Sequence, residues 1–216
     1  IKSTVVLIFA LSIISCTQKG KVTLVAKQNS PREKFAVEKL AGSLKEQGYE
    51  VVLSNQPVAE GEKQIVVGDL KSELFIEIKK EYPSLDTLKK EGFSIETSGK
   101  MIFVGGADQS GILYGCMELA DRLKAGGQLP QAIHVADQPQ MVMRGTCIGL
   151  QKTVYLPGRT VYEYPYTPEN FPWFYDKALW TKYLDMMVEN RYNALYLWNG
   201  HPFASLVKLK DYPYAV

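Results

Sequence analysis

The residues of this 216-residue chain best equipped to handle a ligand lie in its last third. The apolar run Met141-Val142-Met143 ends in Arg144 and Gly145, and the run Ala194-Leu195-Tyr196-Leu197-Trp198 ends in Asn199-Gly200-His201. A guanidinium offers a rigid fork of donors for vicinal hydroxyls or a carboxylate, an indole a stacking face, and an amide or imidazole a further donor or acceptor. Arg144, Trp198, Asn199 and His201 are therefore the candidate substrate-binding residues. An Arg144 that pairs with a neighbouring carboxylate is the competing reading. Between the two runs a loop rich in Tyr and Pro carries Tyr155, Tyr162, Tyr164, Tyr166, Phe171 and Trp173. Such rings suit a carbohydrate rim, where sugar C–H faces stack, or equally a loop packed on its own side chains. No metal and no cofactor are expected: Arg144 is no ligand, His201 stands alone, and the carboxylate cluster that a hard cation needs is missing.

For these residues to share one pocket, strands at 141–146 and 193–198 must be adjacent and parallel. The helix pattern at 176–191, with Leu179, Tyr183, Met186, Met187 and Asn190 on one face, supplies the crossover. Strand, loop and helix, strand is the first step of a (β/α)8 barrel, whose ligands lie at the C-terminal strand ends. Residues 140–216 number 77, against about 250 for such a barrel, so this domain is expected to be truncated. The chain opens on Ile1 rather than Met and is read as a fragment.

Residues 21–137 have a different character. Lys21 to Lys27 alternates like a strand; Ser30 with Glu33 forms a capping box, Pro31 takes the first helical position, and Val37, Leu40, Ala41 and Leu44 make a stripe that ends at Gly48. Two short apolar runs, Val51 to Leu53 and Gln64 to Gly68, and a mixed helix between Leu70 and Glu81 follow. Gly92 to Glu96 and Lys100 to Val104 then flank a Thr97-Ser98-Gly99 turn as a hairpin. Asp108 caps a second helix that carries Ile112, Cys116, Leu119 and Leu123, which makes Cys116 a buried small hydrophobe. Gly105 to Gly111 lacks the spacing of a phosphate loop and reads as a tight turn packing helix on sheet. His134, on an edge-strand pattern with no partner at ligand spacing, reads as structural. The expectation is a small α/β layer, two helices on one face of a mostly antiparallel or mixed sheet.

The N-terminus adds an address. Val5 to Ile14 is an apolar run of signal-peptide length, and Ile13-Ile14-Ser15-Cys16 resembles a bacterial lipobox. Residues 1–15 are then a signal peptide, Cys16 the lipidated residue and residues 16–20 a tether, which places the protein in the cell envelope with the membrane as partner only through that anchor. Ordinary cleavage near Ser15 and secretion is the alternative. With 25 basic against 23 acidic residues, well mixed, nucleic acid is not an expected partner.

Glu33 to Ala41, Ile65 to Gly68, Gly92 to Ile95, Ile102 to Gly106 and Gly111-Ile112-Leu113-Tyr114-Gly115-Cys116-Met117-Glu118-Leu119, in that order and spacing, resemble the accessory domain that precedes the barrel in bacterial β-hexosaminidases and α-glucuronidases. The resemblance implies an α/β fold class: a non-catalytic α+β accessory domain over 21–137, then the start of a (β/α)8 barrel over 140–216. Val142 stands where the hexosaminidase pattern has an Asp, and Trp198-Asn199-Gly200-His201 replaces its His-x-Asp-Asp. The resemblance also implies a parent cell-envelope glycoside hydrolase acting on terminal amino-sugar or uronic-acid residues, with a carbohydrate substrate and with its catalytic carboxylates beyond residue 216. A surface lipoprotein that binds glycans without cleaving them is the alternative.

Overall fold

The computed structural model describes residues 19–58, 61–149, 168, 172–198 and 210–211. The chain divides into two compact units, residues 1–138 and 139–216. The first contains strands β1 (Lys21–Val25), β2 (Glu50–Ser54), β3 (Gln64–Asp69), β4 (Phe93–Ser98), β5 (Met101–Gly106) and β6 (His134–Asp137), with helices α1 (Pro31–Glu46), α2 (Ile76–Glu81) and α3 (Gln109–Gly126). Its sheet runs β2-β1-β3-β5-β4-β6. The first four strands in that order are parallel, and β4 is antiparallel to both β5 and β6, so the sheet is mixed.

Local chemistry explains the two long helices. The Ser30 hydroxyl accepts the Glu33 N–H at 3.2 Å, while Glu33 Oε2 accepts from Asn29 N at 2.6 Å, a capping box displaced by one residue on its return arm. At α3, Asp108 Oδ1 accepts the Gly111 N–H at 2.9 Å and Oδ2 accepts the Glu91 N–H at 3.0 Å, so one carboxylate caps the helix and ties down the entry to β4. Gly127, at φ 69°, closes the other end in the left-handed conformation.

The register rows show why the central strands are buried on both faces. Leu24, Ile65 and Ile102 are in register, with α1 and α3 packed on each other over this unit's sheet. Val25, Val66 and Phe103 form the next row and so point to the opposite face, where they pack with Leu70, Phe75, Ile78 and Leu85. The helix expected between Leu70 and Glu81 is thus α2 flanked by 3-10 turns at Glu73–Phe75 and Pro83–Thr87, and it is the second face's cover. Cys116 is buried between the layers, which pushes its thiol pKa up.

The second unit contains β7 (Gly145–Gly149), α4 (Lys177–Glu189) and β8 (Ala194–Trp198), with β7 and β8 parallel. Two expectations are corrected. The first strand starts at Gly145 rather than Met141: Met141, Val142 and Met143 stand outside the ladder, exposed, with Val142 at 91%. The inward stripe of α4 is only in part the one read from its sequence: Tyr183 and Met187 turn inward as read, but Leu179, Met186 and Asn190 are exposed and Trp180 takes an inward place.

A buried carboxyl of the first unit meets an exposed imidazole. Glu96, wholly buried on β4, meets His134 of β6 through Oε2 and Nδ1 at 2.5 Å, and Tyr82 stacks on the imidazole at 4.7 Å. His134 is therefore structural, as its strand context suggested. Burial raises the Glu96 carboxyl pKa, and the hydrogen bond and charge of His134 only partly oppose this; Oε1 has no hydrogen-bond partner. A carboxyl whose pKa is raised on folding contributes stability below its ordinary value and loses it as pH rises through the folded value. The stability advantage of the natural chain over Glu96→Gln should therefore be largest near pH 4 and shrink towards pH 8, which urea titrations followed by far-UV circular dichroism at several pH values will check.

Candidate functional site

The parallel pairing of β7 with β8 defines a mouth and a base. Gly145 pairs with Ala194 at the N-terminal end, and Gly149 pairs with Trp198 at the C-terminal end. At about 3.3 Å per residue these ends are ~13 Å apart. Trp198 is the last residue of β8, at the C-terminal strand end. Arg144 precedes β7 and lies at the base, so the structure does not bring Arg144 and Trp198 to one pocket. The misplacement follows from the strand boundary: an apolar run looks like a strand, but Met141 to Met143 has no ladder partner. Asn199, His201 and Cys16 fall outside the described residues, as do Tyr155, Tyr162, Tyr164, Tyr166 and Phe171.

At the base, Arg144 and Asn193 grip each other from both backbones. Asn193 Oδ1 accepts the Arg144 N–H at 2.9 Å, Asn193 Nδ2 donates to the Val142 carbonyl at 2.9 Å, and the Arg144 carbonyl accepts the N–H groups of Asn193 and Ala194 at 2.8 and 3.0 Å. The Arg144 guanidinium donates from Nε to the Arg191 carbonyl at 2.9 Å and from Nη1 to the Met141 carbonyl at 2.8 Å. Arg191 stands at φ 59°, and its N–H and that of Tyr192 reach back to the carbonyls of Val188 and Met187. This is a Schellman turn with arginine where glycine is usual, and its exposed carbonyl is the one that Arg144 takes up. Two donors of the Arg144 guanidinium thus go to backbone oxygens, one at the C-terminal end of α4 and one in the segment that enters β7.

The faces of β7 and β8 are distinct. Thr146 faces α4: the Tyr183 hydroxyl donates to Thr146 Oγ1 at 2.6 Å, and Thr146 Oγ1 donates to Met187 Sδ at 3.7 Å. Strand alternation therefore turns Cys147 and its register partner Tyr196 to the face away from α4, where Tyr196 is 62% exposed. In a barrel that is the inward face. The sequence reading passed over Tyr196 and Cys147, although the period-2 signal that separates them from Thr146 and Ile148 was present. Of the aromatic loop, Trp173 is described: it packs 6.1 Å from both Phe174 and Trp180, while Trp180 Nε1 donates to the Phe174 carbonyl at 2.7 Å. That end of the loop packs on its own side chains.

Comparison with known proteins locates these features. Residues 15–138 match the model of glycosyl hydrolase family 20, domain 2. Among solved structures, a GH138 enzyme targeting pectin rhamnogalacturonan II is 52% identical, with a TM-score of 0.69, over 89% of this chain and 26% of its own. A family GH115 4-O-methyl-α-glucuronidase with specificity for decorated arabinogalactans shares 15% identity, with a TM-score of 0.59, over 85% of this chain and 25% of its own; at that identity the likeness is one of fold. The chain thus spans about a quarter of each of these enzymes, and an 89% overlap extends past the first unit into the second. No curated protein sequence matches.

The base clamp makes a prediction that separates support from ligand binding. Trp173, Trp180 and Trp198 all lie in the second unit and are the chain's three tryptophans, so their fluorescence reports that unit. Asn193→Ala and Arg144→Ala should each lower its unfolding free energy by about 1 to 3 kcal/mol, the double variant costing less than the sum because the two residues share bonds. Arg144→Lys should not restore stability, since one ammonium cannot span both carbonyls.

Proposed function

Because residues 15–138 place the chain in the glycosyl hydrolase family 20 domain 2 family, we propose that it is the N-terminal part of a glycoside hydrolase, the domain-2 unit leading into a catalytic (β/α)8 barrel that begins with β7, α4 and β8. The observation that carries this reading is the 52% identity over 89% of the chain with an enzyme targeting pectin rhamnogalacturonan II. That relative favours a pectic polysaccharide as substrate. A rhamnogalacturonan is a uronic-acid polymer, so of the two sugar ends that the sequence suggests, the uronic-acid end is the better supported. The catalytic carboxylates belong to later barrel strands, and the chain itself contributes the Trp198-Asn199-Gly200-His201 segment to the substrate mouth. Arg144 has no part in that mouth: at the opposite strand end it holds the helix-to-strand turn.

On the lipobox-like Ile13 to Cys16 this enzyme is an envelope lipoprotein anchored by acyl chains on Cys16; the tether expected over residues 16–20 stops short of Lys19, because the Lys19 N–H and the Gly20 carbonyl pair with Gly48 and Glu50 of the first unit. Among the described residues no helix is long and apolar enough to cross a membrane.

Incubating the full-length parent with rhamnogalacturonan II should release a monosaccharide measurable by chromatography, while residues 1–216 alone leave the polymer intact. Turnover by the 216-residue chain, or a parent inert on this and every chromogenic uronide and N-acetylhexosaminide, would overturn the reading. Separately, Cys16→Ser in the parent should shift the protein from the membrane pellet to the soluble fraction and abolish incorporation of labelled palmitate. An unchanged distribution would remove the anchor.

A further inference from the structure

At one end of the first unit the parallel strands β1, β3 and β5 begin, α1 and α3 finish, and residues 19–20 lead in. That end is rich in lysine. Each of the three strands, neighbours in the sheet, is entered through one: Lys21 opens β1, Lys63 precedes β3 and Lys100 precedes β5. At about 4.8 Å per strand this row spans ~10 Å. Lys45 and Lys124 stand in the last turns of α1 and α3, Lys19 precedes β1, and all six lysines are exposed. The chain leaves the unit at the other end, after Asp137 of β6, the register partner of Phe93.

Contacts join these side chains into one patch. Lys19 Nζ donates to the Gly127 carbonyl, and the ammonium groups of Lys19 and Lys63 lie 5.8 and 5.9 Å from the centre of the Tyr49 ring. Lys100 Nζ donates to the Gly61 carbonyl at 2.8 Å. Among the described residues the carboxylates at this end are Glu46, Glu50 and Glu62, and Lys21 reaches Glu62 at 3.8 Å with both side chains half exposed. Six lysines against three carboxylates leave a local excess of positive charge, in a chain whose 25 basic and 23 acidic residues nearly cancel. The C-termini of α1 and α3 bring partial negative charge to the same end, which Lys45, Lys124 and the contact of Lys19 with Gly127 offset. Lys63 and Lys100, whose contacts are with a ring and a neutral carbonyl, keep their charge for an outside partner.

We propose that this end of the first unit docks on the surface of an anionic phospholipid bilayer. The lysines supply the complementary charge, and the length of the chain before them supplies the partner. The Lys19 N–H donates to the Gly48 carbonyl at 2.9 Å, so the folded unit begins three residues after Cys16, and three residues of chain span at most about 11 Å. That is little more than the Debye length of about 8 Å at physiological ionic strength. Acyl chains on Cys16 therefore hold the end that carries the lysines, and not the end after Asp137, within reach of lipid phosphates. The choice of a bilayer as partner rests on the lipoprotein reading, whereas the charge of the surface does not. On this proposal the acyl anchor is no longer the protein's sole contact with the membrane.

The test uses the parent protein from residue 16 onward with Cys16→Ser, sedimented with vesicles of phosphatidylcholine alone or with about 30% phosphatidylglycerol. No acyl chain contributes, so the result is independent of whether Cys16 is lipidated, which palmitate labelling decides separately. Binding to the phosphatidylglycerol vesicles should exceed that to phosphatidylcholine at least tenfold at about 0.1 M NaCl and fall at least fivefold at about 0.5 M. The triple reversal Lys63→Glu, Lys100→Glu and Lys124→Glu should weaken it at least tenfold. Reversing Lys34, Lys80 and Lys89 to Glu, which changes the net charge equally but lies outside the patch, should weaken it less than twofold. Should the patch reversal fail to fold, the same three positions changed to Gln should still weaken binding at least threefold. Equal binding to the two kinds of vesicle overturns the proposal, as does binding indifferent to salt, or a control reversal that costs as much as the patch reversal.

Discussion

The first unit depends on how closely α3 can approach the β4–β5 hairpin. Three glycines set that distance. A Cβ at Gly106 would fall on the backbone of Ile112, one at Gly111 on the carbonyl of Gly92, and one at Gly115 within 2.8 Å of Val104 Cγ1. Two of these three obstacles are backbone, which cannot rotate out of the way, so the spacing of helix and sheet is fixed by side chains that are missing rather than present. The Gly92 carbonyl also accepts the Ala107 N–H at 2.9 Å, and Asp108 caps the helix one residue later. With α3 seated in this way, α1 packs beside it and against β2. The glycine-rich turn that superficially suggests a phosphate loop is thus used for contact between helix and strand.

Much of this unit could be read from sequence because its signals are local. Ser30 with Pro31 and Glu33, Asp108 three residues before a free N–H, and Gly99 at φ 59° in the hairpin turn each state their geometry within a few residues. The parallel arrangement of the four strands from β2 to β5 was not stated anywhere in the chain. It comes from tertiary pairing, and its only trace is that Val22 through Val25 and Ile65 through Val67 are apolar or small on both faces, a pattern equally compatible with other folds. The cover of the second face was hidden for a related reason. The segment from Glu73 to Thr87 is broken into short turns, so its buried residues Phe75, Ile78 and Leu85 have no single period to detect.

In the second unit hydrophobicity misled. Met141-Val142-Met143 carries a stronger strand signal than Gly145-Thr146-Cys147-Ile148-Gly149, yet the ladder forms on the latter. What selects the register is polar: the two-way bonding of Asn193 with the backbone of residues 142–144, together with the guanidinium across the Schellman turn. A carboxamide acting as a mimic of backbone on both its donor and acceptor sides leaves no hydrophobic trace, and a left-handed arginine where glycine is expected conceals the helix end as well.

This division of labour also decides what Arg144 is for. In a β/α unit the N-terminal strand ends are where connections from preceding helices must be secured, and the C-terminal ends are where loops are free to meet a ligand. An arginine is useful at either end, as a backbone staple or as a clamp on hydroxyls and carboxylates, so residue type alone cannot distinguish the two uses. Position can. A shift of four residues in the strand boundary moves Arg144 from the mouth to the base. Two of its hydrogen bonds go to the carbonyls of Met141 and Arg191, in the irregular entry segment and the left-handed helix cap. The strand face turned away from α4 then carries Cys147 and Tyr196, and the base clamp holds β7 and β8 in register beneath it.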